Sequence, residues 1–231
     1  IAISLAALFA IATCGFGQTL SGPNLNVQKI LTGLSAPTGM AFLGSNPNDY
    51  FVIEKNSGQV KRVLNGSTTI VLDLPVTSSS NAGLLGIALH PNFGQAGMPN
   101  NDKVYLYYSR GTPPFDGSAL LENRVSRFSW NGSTLSGESV LSAFASGASG
   151  SLSHNGGPIT FGPDGKLYGV VGDFGRNAAE QNNQSTPDTS SAVGGIYRLN
   201  DDGSVPTDNP FFTNSNSAFR RWYAYGVRNS F

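Results

Sequence analysis

Apolar residues fall in short runs divided by polar, glycine-bearing turns, a pattern of brief strands rather than of amphipathic helices. In the first set, residues 37–43, 50–54, 59–64 and 70–74 predict four strands, with a turn at Asn56-Ser57-Gly58. A second set opens with residues 83–89 and continues through 104–108 and 124–128, with a fourth strand expected near 138–144. The third opens at 157–161, turns at Pro163-Asp164-Gly165, and runs through 167–171 and 195–199. Residues 222–231 read as the opening strand of a fourth set. Sheets of about four strands, recurring every 40 to 70 residues or so between long polar insertions, are the pattern of a β-propeller. A β-sandwich is complete at about seven to nine strands, and this chain offers more. The expected fold is all-β, a β-propeller with about three blades plus one strand present and the ring unclosed.

Composition agrees with that reading. Gly occurs 29 times and charged residues make up only 12%, which suits tight polar turns. Lys plus Arg balances Asp plus Glu at 14 each, so no net field gathers nucleic acid or an anionic membrane surface. The first twelve residues are apolar and uncharged, too short a run to cross a bilayer, and resemble the core of a signal peptide. With no basic segment before them, the chain is expected to begin inside that signal. Two readings stay open here: cleavage before Gln18, or lipidation of Cys14, which alone would tie the protein to a membrane. Both imply export, to the periplasm or the extracellular space. Cys14 is the sole cysteine, so no disulfide is expected inside the domain. The expected organisation is a partial signal peptide (1–17), a polar spacer (18–30) and a propeller domain (31–231).

In a propeller the first strand of each blade lines the central channel, and ligands bind where those strands meet its mouth. Polar residues at that place are Asn81 before the inner strand of the second set, His154 before that of the third, and Arg228 and Asn229 in the last segment. His154 sits in Ser153-His154-Asn155-Gly156-Gly157, where glycines leave room for a flat ligand. An imidazole takes protons near neutral pH, and a carboxylate on its far nitrogen orients it and raises its basicity. Asp173, ending the next strand, is the expected partner. A plain loop histidine bonded to backbone is the alternative for His154, and a structural ion pair is the alternative for Arg228. His90, before Pro91, reads as structural. Asp201-Asp202-Gly203 and Asp208-Asn209-Pro210 read as turns, because Arg198 stands where a calcium loop would start and Asn209 where its closing Glu would be. No metal ligand is assigned within the chain. Asn65, Asn131 and Asn183 begin glycosylation-type triplets.

Several motifs in order give a family resemblance. They are Gly83-Leu84-Leu85-Gly86-Ile87-Ala88-Leu89-His90-Pro91-Asn92-Phe93, Asn123-Arg124-Val125-Ser126-Arg127-Phe128, His154-Asn155-Gly156-Gly157 with Phe161-Gly162-Pro163-Asp164-Gly165, Gly172-Asp173, Arg198-Leu199-Asn200, and Tyr225-Gly226-Val227-Arg228-Asn229. From about Leu31 onward the chain resembles the glucose/sorbosone dehydrogenases, whose best-known members are soluble, six-bladed, pyrroloquinoline-quinone (PQQ) sugar dehydrogenases. The resemblance implies oxidation of an aldose at its anomeric carbon to a lactone, with His154 as general base, Asp173 orienting it, and Arg228 and Asn229 contacting the cofactor. Arg228 would stabilise charge on the quinone oxygen. It also implies a small sugar as substrate, an external electron acceptor, and calcium held by residues beyond the last one here. Glucose-oxidising members carry Gln-Asn before the Gly-Leu-Leu-Gly motif. This chain carries Asn81-Ala82, so Asn81 is the expected substrate-binding residue and glucose itself is not implied. The other reading is a secreted propeller that binds a glycan or a protein partner without catalysis.

Overall fold

A computed structural model describes residues 28–111, 120–145, 152–175 and 193–230. The expected signal peptide with Cys14, nearly all of the spacer, and Asn183 lie outside the described residues. One compact unit runs Gly33–Phe231. It is built of three four-stranded antiparallel sheets. Sheet one is β1 (Pro37–Phe42), β2 (Asp49–Glu54), β3 (Gln59–Leu64) and β4 (Ser67–Asp73) in chain order. Sheet two, also in chain order, is β5 (Leu84–Leu89), β6 (Lys103–Gly111), β7 (Leu120–Trp130) and β8 (Leu135–Ala145). Sheet three is β9 (Ile159–Phe161), β10 (Leu167–Val171), β11 (Gly195–Leu199) and β12 (Trp222–Tyr225). The first strands β1, β5 and β9 lie next to one another and the later strands step outward. These are the blades of a β-propeller.

Strand β6 shows why the sheets stack. Successive side chains of a strand point to opposite faces. Val104, Leu106 and Tyr108 enter the core shared with sheet one, beside Phe51, Ile53 and Leu84. Tyr105 and Tyr107 enter the core shared with sheet three, beside Phe144, Tyr197 and Trp222. A strand apolar on both faces is buried only when a sheet covers each, so this sequence requires the middle position. The turns are built as their residues dictate. Asn65 (φ +49°) and Gly66 (φ +80°) form the two-residue hairpin between β3 and β4. In the next hairpin, Asn131 Oδ1 accepts the N–H groups of Ser133 and Thr134.

One expectation is corrected. Residues 222–225 do not open a fourth sheet; β12 is the outer strand of the third, with Gly195 opposite Tyr225 and Tyr197 opposite Trp222. The turn-rich insertion between β11 and β12, which includes a 3-10 turn at Ser217–Phe219, is as long as a blade boundary, and this made the spacing misleading. Packing decides the placement: the Trp222 ring lies over Gly195, where a Cβ would stand 2.6 Å from it, and is buried against Phe144.

Candidate functional site

The candidate residues gather where β10 ends, β11 begins and β12 ends, beside the matching end of sheet two. His154 lies in the loop leading to β9, with φ +56°, a left-handed conformation uncommon for a residue with a Cβ. Its N–H donates to Asn81 Oδ1 at 3.0 Å, and the Asn81 N–H donates to the Leu152 carbonyl at 3.0 Å. Gly156 in the same loop is required by the fold: a Cβ on it would stand 2.1 Å from the Val170 carbonyl oxygen, so the loop lies directly on β10.

Asp173 follows β10 and is fully buried. Its Oδ1 is 2.6 Å from His154 Nδ1. A carboxylate only accepts, so in the neutral imidazole Nδ1 carries the proton and Nε2 keeps its lone pair. That nitrogen makes no hydrogen bond among the described residues, and the side chain is 14% exposed. Asp173 Oδ1 also accepts the Gly175 N–H at 2.9 Å. The Asp173 N–H donates to the Arg228 carbonyl at 2.9 Å, which brings the segment after β12 to the site. Arg228 Nε is 3.9 Å from Asp173 Oδ2 while its side chain is 62% exposed. Asn229, the next residue, is exposed. The arrangement is an imidazole oriented by a buried carboxylate, with a guanidinium at its edge.

Two residues that sequence reading did not single out support the histidine loop. Asn123 on β7 and Asn155 beside His154 are both fully buried, with Asn123 Nδ2 donating to Asn155 Oδ1 at 2.9 Å. Tyr107 donates its hydroxyl to the Asn155 carbonyl at 2.6 Å. Burial pushes the Tyr107 hydroxyl well above its ordinary pKa, keeping it a donor. The signal in the sequence was an amide at an inward position of a strand, which needs a partner but does not say which one.

The remaining candidates are structural. His90 Nδ1 accepts the Asn92 N–H, and its ring packs edge-on to Phe161. Burial lowers its pKa, against the opposing pull of Asp201. Asp202 Oδ1 accepts the N–H and hydroxyl of Ser204, closing a turn. Asp208 pairs with Arg198, which also holds Asp164. Among the described residues no group of three or more His, Cys, Asp or Glu is placed to hold a metal. A groove of about 430 Å³ runs along the inner strands past Met40, Leu85 and Ile87 to Gly156 and Pro158. No titratable side chain lines it.

The sequence model of the family described as Glucose / Sorbosone dehydrogenase matches residues 34–231. The chain is 31% identical over 225 residues to quinoprotein glucose dehydrogenase B of Acinetobacter calcoaceticus, covering 89% of this chain and 45% of that protein. It is 29% identical over 213 residues to human Hedgehog-interacting protein, covering 82% of this chain and 29% of that one. The solved structure of the PQQ-bound form of aldose sugar dehydrogenase from Streptomyces coelicolor is similar, with a TM-score of 0.67 at 28% identity, over 88% of this chain and 54% of that chain. The chain spans about half the length of the two dehydrogenases.

Proposed function

Because the chain belongs to the glucose/sorbosone dehydrogenase family, we propose that the protein carrying it is a PQQ-dependent dehydrogenase that oxidises an aldose at its anomeric carbon to a lactone. The observation that carries this reading is the oriented pair His154–Asp173, with Nδ1 2.6 Å from a buried carboxylate oxygen. Oxidation of an anomeric C–H must also remove the hydroxyl proton, and a base with a free lone pair near neutral pH does this. His154 Nε2 accepts that proton. Asp173 fixes the tautomer and stabilises the imidazolium that forms. Bound PQQ would supply the acceptor for the hydride leaving the anomeric carbon.

The residues at this end suit such a group. PQQ is planar and anionic, and Arg228 offers a guanidinium that is 62% exposed and only loosely engaged by Asp173. Arg228 and Asn229 would hold the cofactor through its oxygens. Asn81 is the residue assigned to the sugar. Its Oδ1 is taken by the His154 N–H, which leaves Nδ2 for a substrate hydroxyl. We place this reaction in the periplasm or outside the cell, a reading supported by the signal-like apolar run of the first twelve residues.

A second reading, a propeller that binds a glycan or protein partner without catalysis, is favoured by the similarity to human Hedgehog-interacting protein. One experiment separates the two. The protein carrying this chain is loaded with PQQ and calcium and assayed for dye reduction across a panel of aldoses. Sugar-dependent reduction that needs PQQ supports the dehydrogenase; a PQQ-loaded protein that reduces no dye with any aldose overturns it.

A further inference from the structure

We infer that Asn123, Asn155 and Asn81 are positioning residues that hold His154 in register with Asp173, so that sheet two sets the geometry of a base carried by sheet three. The inference rests on the reading of His154 as the base. Three independent stretches of chain meet at the loop. From β6, Ser109 Oγ donates to Asn123 Oδ1 at 2.6 Å. From β7, Asn123 Nδ2 donates to Asn155 Oδ1 at 2.9 Å. Asn155 Nδ2 then donates to the Leu152 carbonyl at 2.7 Å. The same carbonyl accepts the N–H of Asn81, whose Oδ1 takes the N–H of His154.

Each donor and acceptor of the relay is used in one direction only. The Ser109 hydroxyl supplies a proton, the Oδ1 atoms of Asn123, Asn155 and Asn81 each receive one, and the Nδ2 atoms of Asn123 and Asn155 pass one on. Ser109, Asn123 and Asn155 are all fully buried, where an unmade bond leaves a polar group without solvent and costs about 1–3 kcal/mol. The relay therefore has one low-energy arrangement, and it fixes both ends of a four-residue loop. That constraint has a purpose at His154. A φ of +56° is strained for a residue with a Cβ, and the loop would relax without a clamp on its N–H and on the carbonyl of residue 152. Relaxation would move the imidazole off a 2.6 Å contact with Asp173. A misplacement of about 1 Å at a reacting group costs on the order of 10²-fold in rate.

Two variants test this, read by two independent measurements. Asn123→Asp keeps the shape but loses the proton that reaches Asn155 when its carboxyl ionises; protonated, it donates as the amide did. The kcat of this variant relative to the unaltered protein is expected to fall by about 10- to 100-fold as pH rises through the titration of the introduced carboxyl, with the sugar KM changed far less. A merely structural substitution would give a ratio indifferent to pH. Asn81→Ala removes the acceptor for His154 without opening a buried void. In the protein without cofactor, native-state hydrogen exchange at the His154 N–H is expected to quicken by about tenfold or more in Asn81→Ala. Exchange in β2 of sheet one should be unchanged. Unaltered exchange at His154 in both variants, or a kcat ratio flat with pH, overturns the positioning role. Absence of sugar-dependent dye reduction in the unaltered protein overturns the proposed reaction instead, and leaves the exchange comparison standing.

Discussion

Gly172 comes so close to His154 that a Cβ on it would stand 2.1 Å from the His154 carbonyl oxygen. The same Cβ would stand 2.8 Å from the Arg228 carbonyl oxygen. The position therefore joins all three segments of the site through backbone, and neither neighbour is a flexible side chain that can swing away. Gly172→Ala is expected to push the His154 loop off Asp173 and to lower kcat by about 10- to 100-fold. Measured kcat equal to that of the unaltered protein would show that the loop yields without cost to the site.

The tautomer argument gives a sharper test than removal of the base. His154→Ala should lower turnover by about 10²- to 10⁴-fold, the usual worth of a positioned base, with PQQ affinity much less changed. Asp173→Asn keeps the volume, but its amide can donate to Nδ1 and so leave the proton on Nε2, where no lone pair then faces the substrate. Steady-state kinetics should place its kcat within the same range as His154→Ala. An Asp173→Asn enzyme with unaltered kcat would contradict the assignment of Nε2 as the acceptor.

Arg228 separates binding from folding. Its side chain is 62% exposed, and its nearest carboxylate contact is 3.9 Å away, so Arg228→Ala should leave thermal stability within about 0.5 kcal/mol. PQQ binding, followed by titration of apoprotein, should weaken, and Arg228→Lys should recover only part of the loss because a point charge lacks the planar fork. Unchanged PQQ affinity in Arg228→Ala would remove the residue from the cofactor site.

Glu54 makes sheet one sensitive to acid. Glu54 is buried at the end of β2, and burial alone would raise its pKa. Hydrogen bonds from Lys61 Nζ at 2.7 Å, the Ser35 N–H and the Ser57 hydroxyl, together with the Lys61 charge, hold it below the ordinary value of 4.5 instead. A group with a depressed folded-state pKa contributes stability that is complete above its unfolded value and is lost as pH falls through the folded one. Thermal melts between pH 6 and pH 3 should therefore show a Tm that declines below about pH 4.5, and Glu54→Gln should make that decline shallower. Parallel pH profiles for the two proteins would exclude Glu54 as a source of acid lability.

The sequence by itself determined the element type and most of the strand positions, and it singled out His154 and Asp173, which the fold brings into contact. Alternation in β6, with Val104, Leu106 and Tyr108 on one face and Tyr105 and Tyr107 on the other, requires a sheet on both sides. The Asn-Gly turns place the hairpins by local backbone preference alone, and His154 and Asp173 stand in motifs short enough to be read directly. What the sequence could not determine is which neighbour each element meets. Trp222 and Tyr225 pair with Tyr197 and Gly195 across a long insertion. Period-two patterning says which face of a strand is buried but not which strand lies beside it. For the same reason Asn123 and Asn155 gave no warning of each other, since they stand 32 residues apart and meet only because the start of β7 packs against the His154 loop. Tertiary structure decided that meeting, because a buried amide has to find its partner in whatever packing brings within about 3 Å of it.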